Sequence, residues 1–319
     1  MLRILFILII LMSSVSGAFS QNSSAAFDPD TFLSHYFWQE IITLSPPKRP
    51  KIVLVLSGGG ARGLAHIGVL KVLEEEGIPI DAVAGTSVGS LAAALYCAGI
   101  PIGKIEMMAE DIGWSKLSNL STPSLVNMLI TERLLSNEKL EKYIADNIGG
   151  KQFHELKIPF ACVATDIRTG EKIIFTEGNV AQAARASATI PGVFEPVEYR
   201  HRMLVDGGLV DNMPTDIAKM FNADIIIAVD ISADLTQTKV SSVIMTFSQA
   251  LFIQGTQLSR ESLKSADIVI NPQLKDVAIH ELWRSRECMD AGILAARKSI
   301  PQLKKLIMDK TLEKTFKKN

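Results

Sequence analysis

Residues 51–99 read KIVLVLSGGGARGLAHIGVLKVLEEEGIPIDAVAGTSVGSLAAALYCAG. Lys51 to Ser57 is a continuous apolar run of strand length, the pattern of a parallel strand buried on both faces. Gly58-Gly59-Gly60 ends it. From about Arg62 to Glu76 the apolar residues Leu64, Ile67, Val69, Leu70 and Leu73 follow a helical period, and Gly77 and Pro79 stop the helix in the usual order. Ile80 to Ala84 is a second buried strand. Gly85-Thr86-Ser87-Val88-Gly89 follows, then a helix of small residues that ends at Gly99.

Outward from this strand–helix–strand–helix unit the alternation continues. Strands are expected at Phe160 to Thr165, Lys172 to Thr176, Met203 to Val205, Asp224 to Ile231 and Ala266 to Ile270. Helices are expected at Asn137 to Ala145, Val180 to Ala188, Thr215 to Phe221 and Ser242 to Ser262, with a short one at Asp30 to Ile42. Strands alternating with helices predict an α/β fold with a mainly parallel sheet and helices on both faces.

The chain has 319 residues, 47% hydrophobic and 21% charged, which is an ordinary globular composition. Its 33 Lys+Arg balance 34 Asp+Glu, so no uniform basic field is present to hold a polyphosphate, and nucleic acid is not the expected partner. Residues 1–20 carry one Arg, an apolar run from Ile4 to Met12 and then small residues. The run is too short to span a bilayer and suits a signal peptide, with candidate cleavage sites after Ala18 or Ser20; an uncleaved signal anchor is the alternative. Export to the periplasm or the exterior is the resulting expectation. Cys97, Cys162 and Cys288 are odd in number, and two lie in apolar runs, so they do not form a disulfide framework. Residues 21–48 read as a leader, 49–300 as the main domain and 301–319 as a basic tail. That tail carries six Lys from Lys304 onward against Asp309 and Glu313. It suits either contact with anionic lipid headgroups or a solvated terminal helix.

Gly85-x-Ser87-x-Gly89 has the form of a nucleophile elbow, with Ser on a strained strand-to-helix turn and glycines relieving the crowding. The following helix N-terminus presents N–H groups to an oxyanion there; the same Ser could instead cap the helix. Gly58 to Gly63 ends the preceding strand, and a right-handed crossover brings both turns to one edge of the sheet. The spacing also fits a dinucleotide fingerprint. The acid that should end the second strand is missing, however: Asp81 begins it. A P-loop fails because no Gly-Lys-Ser/Thr follows. A backbone turn that stabilises an oxyanion fits better, with Arg62 able to hold a phosphate or assist. None of His35, His66, His154, His201 and His280 is marked as a base. Asp206 ends an apolar run and precedes Gly207-Gly208, which places a carboxylate on a tight turn; it serves as a base if desolvation raises its pKa.

Taken together, GGGARG at 58–63, GTSVG at 85–89 and DGGLVDN at 206–212 resemble the three signature blocks of patatin-like phospholipases, particularly the bacterial branch related to neuropathy target esterase. The resemblance covers roughly Arg49 to Ile300. It implies a three-layer α/β/α fold and a Ser–Asp dyad without a catalytic His. Carried over, Ser87 is the nucleophile, Asp206 the base and the N–H groups of Gly58, Gly59 and Gly60 the oxyanion hole. Gly63, Gly85, Gly89, Gly207, Gly208 and Pro191 support the motifs, the last within Ala186 to Phe194, which is similar to the family's Ser/Pro block. No metal or organic cofactor is implied. Phospholipid or lysophospholipid at a membrane surface is the implied partner, and the oligomeric state is left open. Ile112 to Leu135 is a candidate lid or an ordinary packed segment. Two other readings remain: a Ser-His-Asp esterase with His280 as base, and a catalytically idle lipid-binding module of the same fold.

Overall fold

The computed structural model describes residues 29–111, 137–232, 243–274, 277–278 and 281–316. The signal-peptide reading of 1–20, the candidate lid and His280 therefore lie outside the described residues. The chain divides into two units, Met1–Glu40 and Ile41–Asn319. Helix α1 (Pro29–Ile42) starts in the first and ends in the second. The larger unit begins ahead of the boundary expected at 49, and Arg49 is built into it: its Nη1 and Nη2 donate to Asp81 Oδ2 and Oδ1 at 2.6 and 2.8 Å.

Eight described strands form one sheet. β1 (Ile52–Leu56), β2 (Ala82–Thr86), β3 (Phe160–Asp166) and β7 (Ile225–Val229) are buried along their whole length, as continuous apolar runs require. β1 pairs in parallel with β2 and β7, β2 with β3, and β7 with β8 (Ile268–Ile270). The chain thus steps from β1 through β2 to β3 in one direction and from β7 to β8 in the other. With right-handed crossovers, that reversal places the connecting helices on opposite faces and opens a crevice at the C-terminal ends of the strands beside β1. On one side, Val53, Val55, Ala82, Ala84 and Ala161 pack with Met213, Ile217 and Ala218 of and beside α7 (Thr215–Met220). The alternate residues Ile52, Leu54 and Leu56 are fully buried on the other side, where α2 (Leu64–Glu75), α3 (Val88–Cys97) and α6 (Val180–Ser187) lie. The remaining described helices are α4 (Ile102–Asp111), α5 (Asn137–Ile148), α8 (Val243–Leu263) and α9 (Ser285–Phe316).

Three antiparallel strands complete the sheet: β4 (Lys172–Phe175) and β6 (Arg202–Asp206) on β3, and β5 (Val197–Tyr199) on β6. Their registers have a consequence for the site. Cys162 of β3 pairs with both Gly85 and Phe175, and Thr165 with both Lys172 and Val205. A strand has two edges, so β4 occupies one while β2 and β6 share the other. Thr86 lies opposite Val163 and Asp206 opposite Ala164. A parallel strand and an antiparallel strand therefore end against each other.

The tail boundary expected at 300 is corrected by α9, one helix of 32 residues that continues through Pro301. Proline removes one helical donor, but the buried stripe Cys288, Gly292, Ala296, Ile300, Leu303, Ile307 and Thr311 runs uninterrupted across it. Two of the tail lysines, Lys310 and Lys314, bind the sheet. Asp81, Asp224 and Asp267 sit at the N-terminal ends of β2, β7 and β8 and accept the N–H of Ile52, Lys51 and Ile226. Lys310 pairs with Asp267 at 3.0 Å and Lys314 with Asp224 at 2.9 Å. No described helix is long and apolar enough to cross a membrane.

α9 crosses α2 at backbone contact. A Cβ on Gly292 would lie 2.1 Å from the Ala65 carbonyl oxygen, and one on Gly68 2.0 Å from that of Met289. Alanine at either site would gain up to about 1 kcal/mol of helix propensity. Backbone atoms cannot swing aside, so the clash dominates: Gly68→Ala and Gly292→Ala are each expected to destabilise the protein by about 1–3 kcal/mol. Urea midpoints of the two variants check this; an unchanged midpoint refutes the close packing.

Candidate active site

β2 ends and α3 begins at Ser87, whose φ of 54° and ψ of −129° lie in the left-handed half of backbone space that side chains disfavour. The glycines on either side let the turn pack. A Cβ on Gly89 would meet the Leu56 carbonyl oxygen at 2.3 Å, and one on Gly85 would meet the Gly89 carbonyl oxygen at 2.8 Å. Ser87 makes no side-chain capping bond to α3, so the helix-cap alternative fails. Its Oγ donates instead to Asp206 Oδ2 at 2.5 Å, across 119 positions of sequence.

Asp206 ends β6, one residue later than the expected strand. Its N–H donates to the Thr189 carbonyl at 2.8 Å, its carbonyl accepts Thr165 Oγ1 at 2.8 Å, and its Oδ1 accepts the Gly208 N–H at 2.7 Å. Burial pushes the carboxyl up to about 6, against the opposing pull of the bonds from Ser87 and Gly208. Desolvation outweighs both, leaving a carboxylate ionised at neutral pH yet far more basic than one in water. Such a group is placed to take the Ser87 proton. The loop beyond is tied down by Thr86 Oγ1, which donates to the Asp211 carbonyl at 2.8 Å, and by the Lys172–Asp211 ion pair.

The glycine turn is corrected in part. Gly58 lies against Ser87, with a Cβ there only 3.0 Å from Ser87 Cβ, but its N–H donates to the Asn212 carbonyl at 3.1 Å. Of the three expected oxyanion donors, Gly58 is therefore committed elsewhere, and among the described residues no hydrogen bond is seen from the N–H groups of Gly59 and Gly60. Gly60 needs its lack of a Cβ for its φ of 60°. Arg62 does not reach the cleft. It is buried, its Nε donates to the Val277 carbonyl at 2.9 Å and its guanidinium lies 5.7 Å from the Phe252 ring centre. Burial pulls it down to about 10. His66 is fully buried, and its Nε2–H donates to the Ser57 carbonyl at 2.8 Å. Burial holds it near pH 4, so it stays neutral and props the glycine turn.

Ser87 and Asp206 open onto a cleft. Its walls are Ile190 and Pro191 after α6, Leu209 and Asn212 after β6, and Leu251, Phe252 and Gly255 of α8. The α8 wall carries no motif and was not legible in sequence. Asn212 and Ser187 stood inside conspicuous blocks, but nothing marked them individually. Among the described residues no cluster of His, Cys, Asp and Glu is placed to hold a metal ion.

A family model described as patatin-like phospholipase matches residues 54–219, slightly more than half the chain and inclusive of Ser87 and Asp206. An uncharacterized NTE family protein of Mycobacterium tuberculosis is 36% identical over 183 residues, 57% of this chain and 49% of that one. Lysophospholipase nte1 of Aspergillus fumigatus is 35% identical over 186 residues, 56% of this chain and 12% of that protein. The chain matches half or less of the length of these curated relatives. In structure, human GIVD cytosolic phospholipase A2 superposes with a TM-score of 0.51 at 9% identity, covering 90% of this chain and 65% of that one, which is a likeness of fold. By its signature region and its sheet, this chain belongs to the patatin-like phospholipase family.

Proposed function

We propose that this chain is an exported lipid acyl hydrolase that cleaves carboxylic esters of phospholipids or lysophospholipids. One observation carries the reading: the Ser87 hydroxyl donates at 2.5 Å to a desolvated carboxylate at an apolar-walled cleft. The family membership and the lysophospholipase relative support the same substrate class.

In acylation, Ser87 Oγ attacks the ester carbonyl carbon while its proton passes to Asp206 Oδ2. The negative charge collects on the former carbonyl oxygen, where the N–H groups of Gly59 and Gly60 and the N-terminus of α3 are the available donors. Collapse breaks the carbon–oxygen bond to the alcohol, which leaves with the proton from Asp206. Water then attacks the acyl-serine and gives a proton to Asp206. Collapse of this second intermediate releases the fatty acid and returns the proton to Ser87. No cofactor enters these steps. The acyl chain would lie against Leu251, Phe252, Ile190 and Pro191, with the enzyme peripheral to a lipid surface.

Fluorophosphonate labelling of the full chain tests the nucleophile. The adduct is expected on the Ser87 peptide, absent in Ser87→Ala, with ester hydrolysis lowered by roughly 10³-fold or more. Labelling elsewhere refutes the assignment. His280→Ala is expected to keep its activity; its loss would revive the triad alternative. Binding of lipid without turnover by folded protein would favour the idle module. Export is tested by mass measurement of protein from each compartment, with a chain beginning near residue 19 or 21 expected outside the cytoplasm.

Because Asp206 must be ionised to accept a proton, kcat/KM is expected to rise with pH through an apparent pKa of about 6. The stability consequence has the opposite sense. A carboxyl raised on folding binds its proton more tightly in the native state, so stability falls as pH climbs from about 4 to about 6, by on the order of 3 kcal/mol. Asp206→Asn is therefore expected to be nearly inactive yet to melt higher than the parent at pH 8. An equal or lower melting temperature contradicts the desolvated carboxylate.

A further inference from the structure

The segment leaving α6 touches both members of the Ser87–Asp206 pair, and the steps above do not use it. Ser187 closes α6 fully buried, and its Oγ accepts the Ser87 N–H at 2.9 Å. Two residues on, the Thr189 carbonyl accepts the Asp206 N–H at 2.8 Å. The helix behind them is well fixed. Asn179 Oδ1 caps it by accepting the Gln182 N–H at 3.0 Å, and Arg185 pairs with Glu141 of α5 at 2.5 Å.

Ser87 keeps a backbone conformation that only its surroundings can maintain. Its N–H points at a side chain rather than into the cleft, and Ser187 is not among the cleft walls. We propose that Ser187 is a positioning residue: by holding the Ser87 N–H from the segment that also holds the Asp206 N–H, it sets the separation between hydroxyl and carboxylate. This rests on the reading of Ser87 as nucleophile and Asp206 as base. Without the Ser187 oxygen, the Ser87 N–H is buried and unsatisfied, a state that drives the turn to relax. The hydroxyl moves with the turn, and proton transfer is sensitive to such displacements.

The test uses the full chain with a p-nitrophenyl fatty acyl ester. Ser187→Ala, which removes the acceptor and adds no bulk, is expected to lower kcat roughly ten- to a hundred-fold while KM stays within about two-fold. Ser187→Thr, which restores an acceptor oxygen, is expected to recover most of the rate. The pH profile separates positioning from mere packing. Among the described residues the groups bearing on the Asp206 charge are the Ser87 hydroxyl and the Gly208 N–H, both favouring the carboxylate. Loosening the Ser87 contact therefore shifts the acid limb of kcat to higher pH. Folded Ser187→Ala with the parent kcat, or with a lower kcat but an unmoved acid limb, overturns the proposal. If Ser187→Thr does not fold, the acid limb of Ser187→Ala decides. Ser87→Ala run alongside separates the two claims, because full hydrolysis by that variant would overturn the nucleophile assignment itself.

Discussion

Two strands of opposite direction ending on one edge of β3 make the Ser87–Asp206 hydrogen bond, and the remainder of the site is arranged around that junction. β2 arrives parallel and stops at Thr86 opposite Val163, while β6 arrives antiparallel and stops at Asp206 opposite Ala164. Adjacent positions on β3 thus fix adjacent chain ends, which belong to segments far apart in sequence. Each strand end carries its own turn, and the small residues that permit them, Gly85, Gly89 and Gly207, face backbone at distances that no Cβ tolerates. The hydroxyl and the carboxylate meet because rigid, buried strands leave them nowhere else to point.

That junction is buried, and its burial sets its chemistry. A carboxylate in water is a weak base toward a hydroxyl. Burial raises Asp206 to about 6 even though Ser87 and Gly208 both stabilise its charge. The same burial leaves His66 neutral and restricted to supporting the glycine turn. A base without imidazole is consistent with this arrangement, since the environment supplies the basicity and the strands supply the alignment.

The opposite edge of the sheet has a different economy of charge. Asp81, Asp224 and Asp267 accept strand N–H groups there, and Arg49, Lys314 and Lys310 balance them. The segment from 301 to 316, which read as part of a separate tail, is therefore part of the fold. α9 joins the two roles, because its N-terminal half lies in glycine-to-carbonyl contact with α2, the helix that leaves the Gly58–Gly63 turn.

Local pattern alone located both glycine turns and most of the strands and helices, and carried the family resemblance, because apolar runs record burial and glycine clusters record backbone conformations that side chains cannot adopt. β5, α4 and the long α9 were not among the expected elements. Helix ends moved by a few residues at most. What sequence could not decide was which groups meet. The pairing of Ser87 with Asp206 depends on strand direction and register across 119 positions. The diversion of the Gly58 N–H to Asn212, the withdrawal of Arg62 behind Phe252 and the contact of Ser187 with Ser87 depend on packing between elements remote in the chain. Neighbouring residues dictate the shape of each segment. Hydrogen bonds between segments form only once the sheet has ordered its strands, so the tertiary structure decided them.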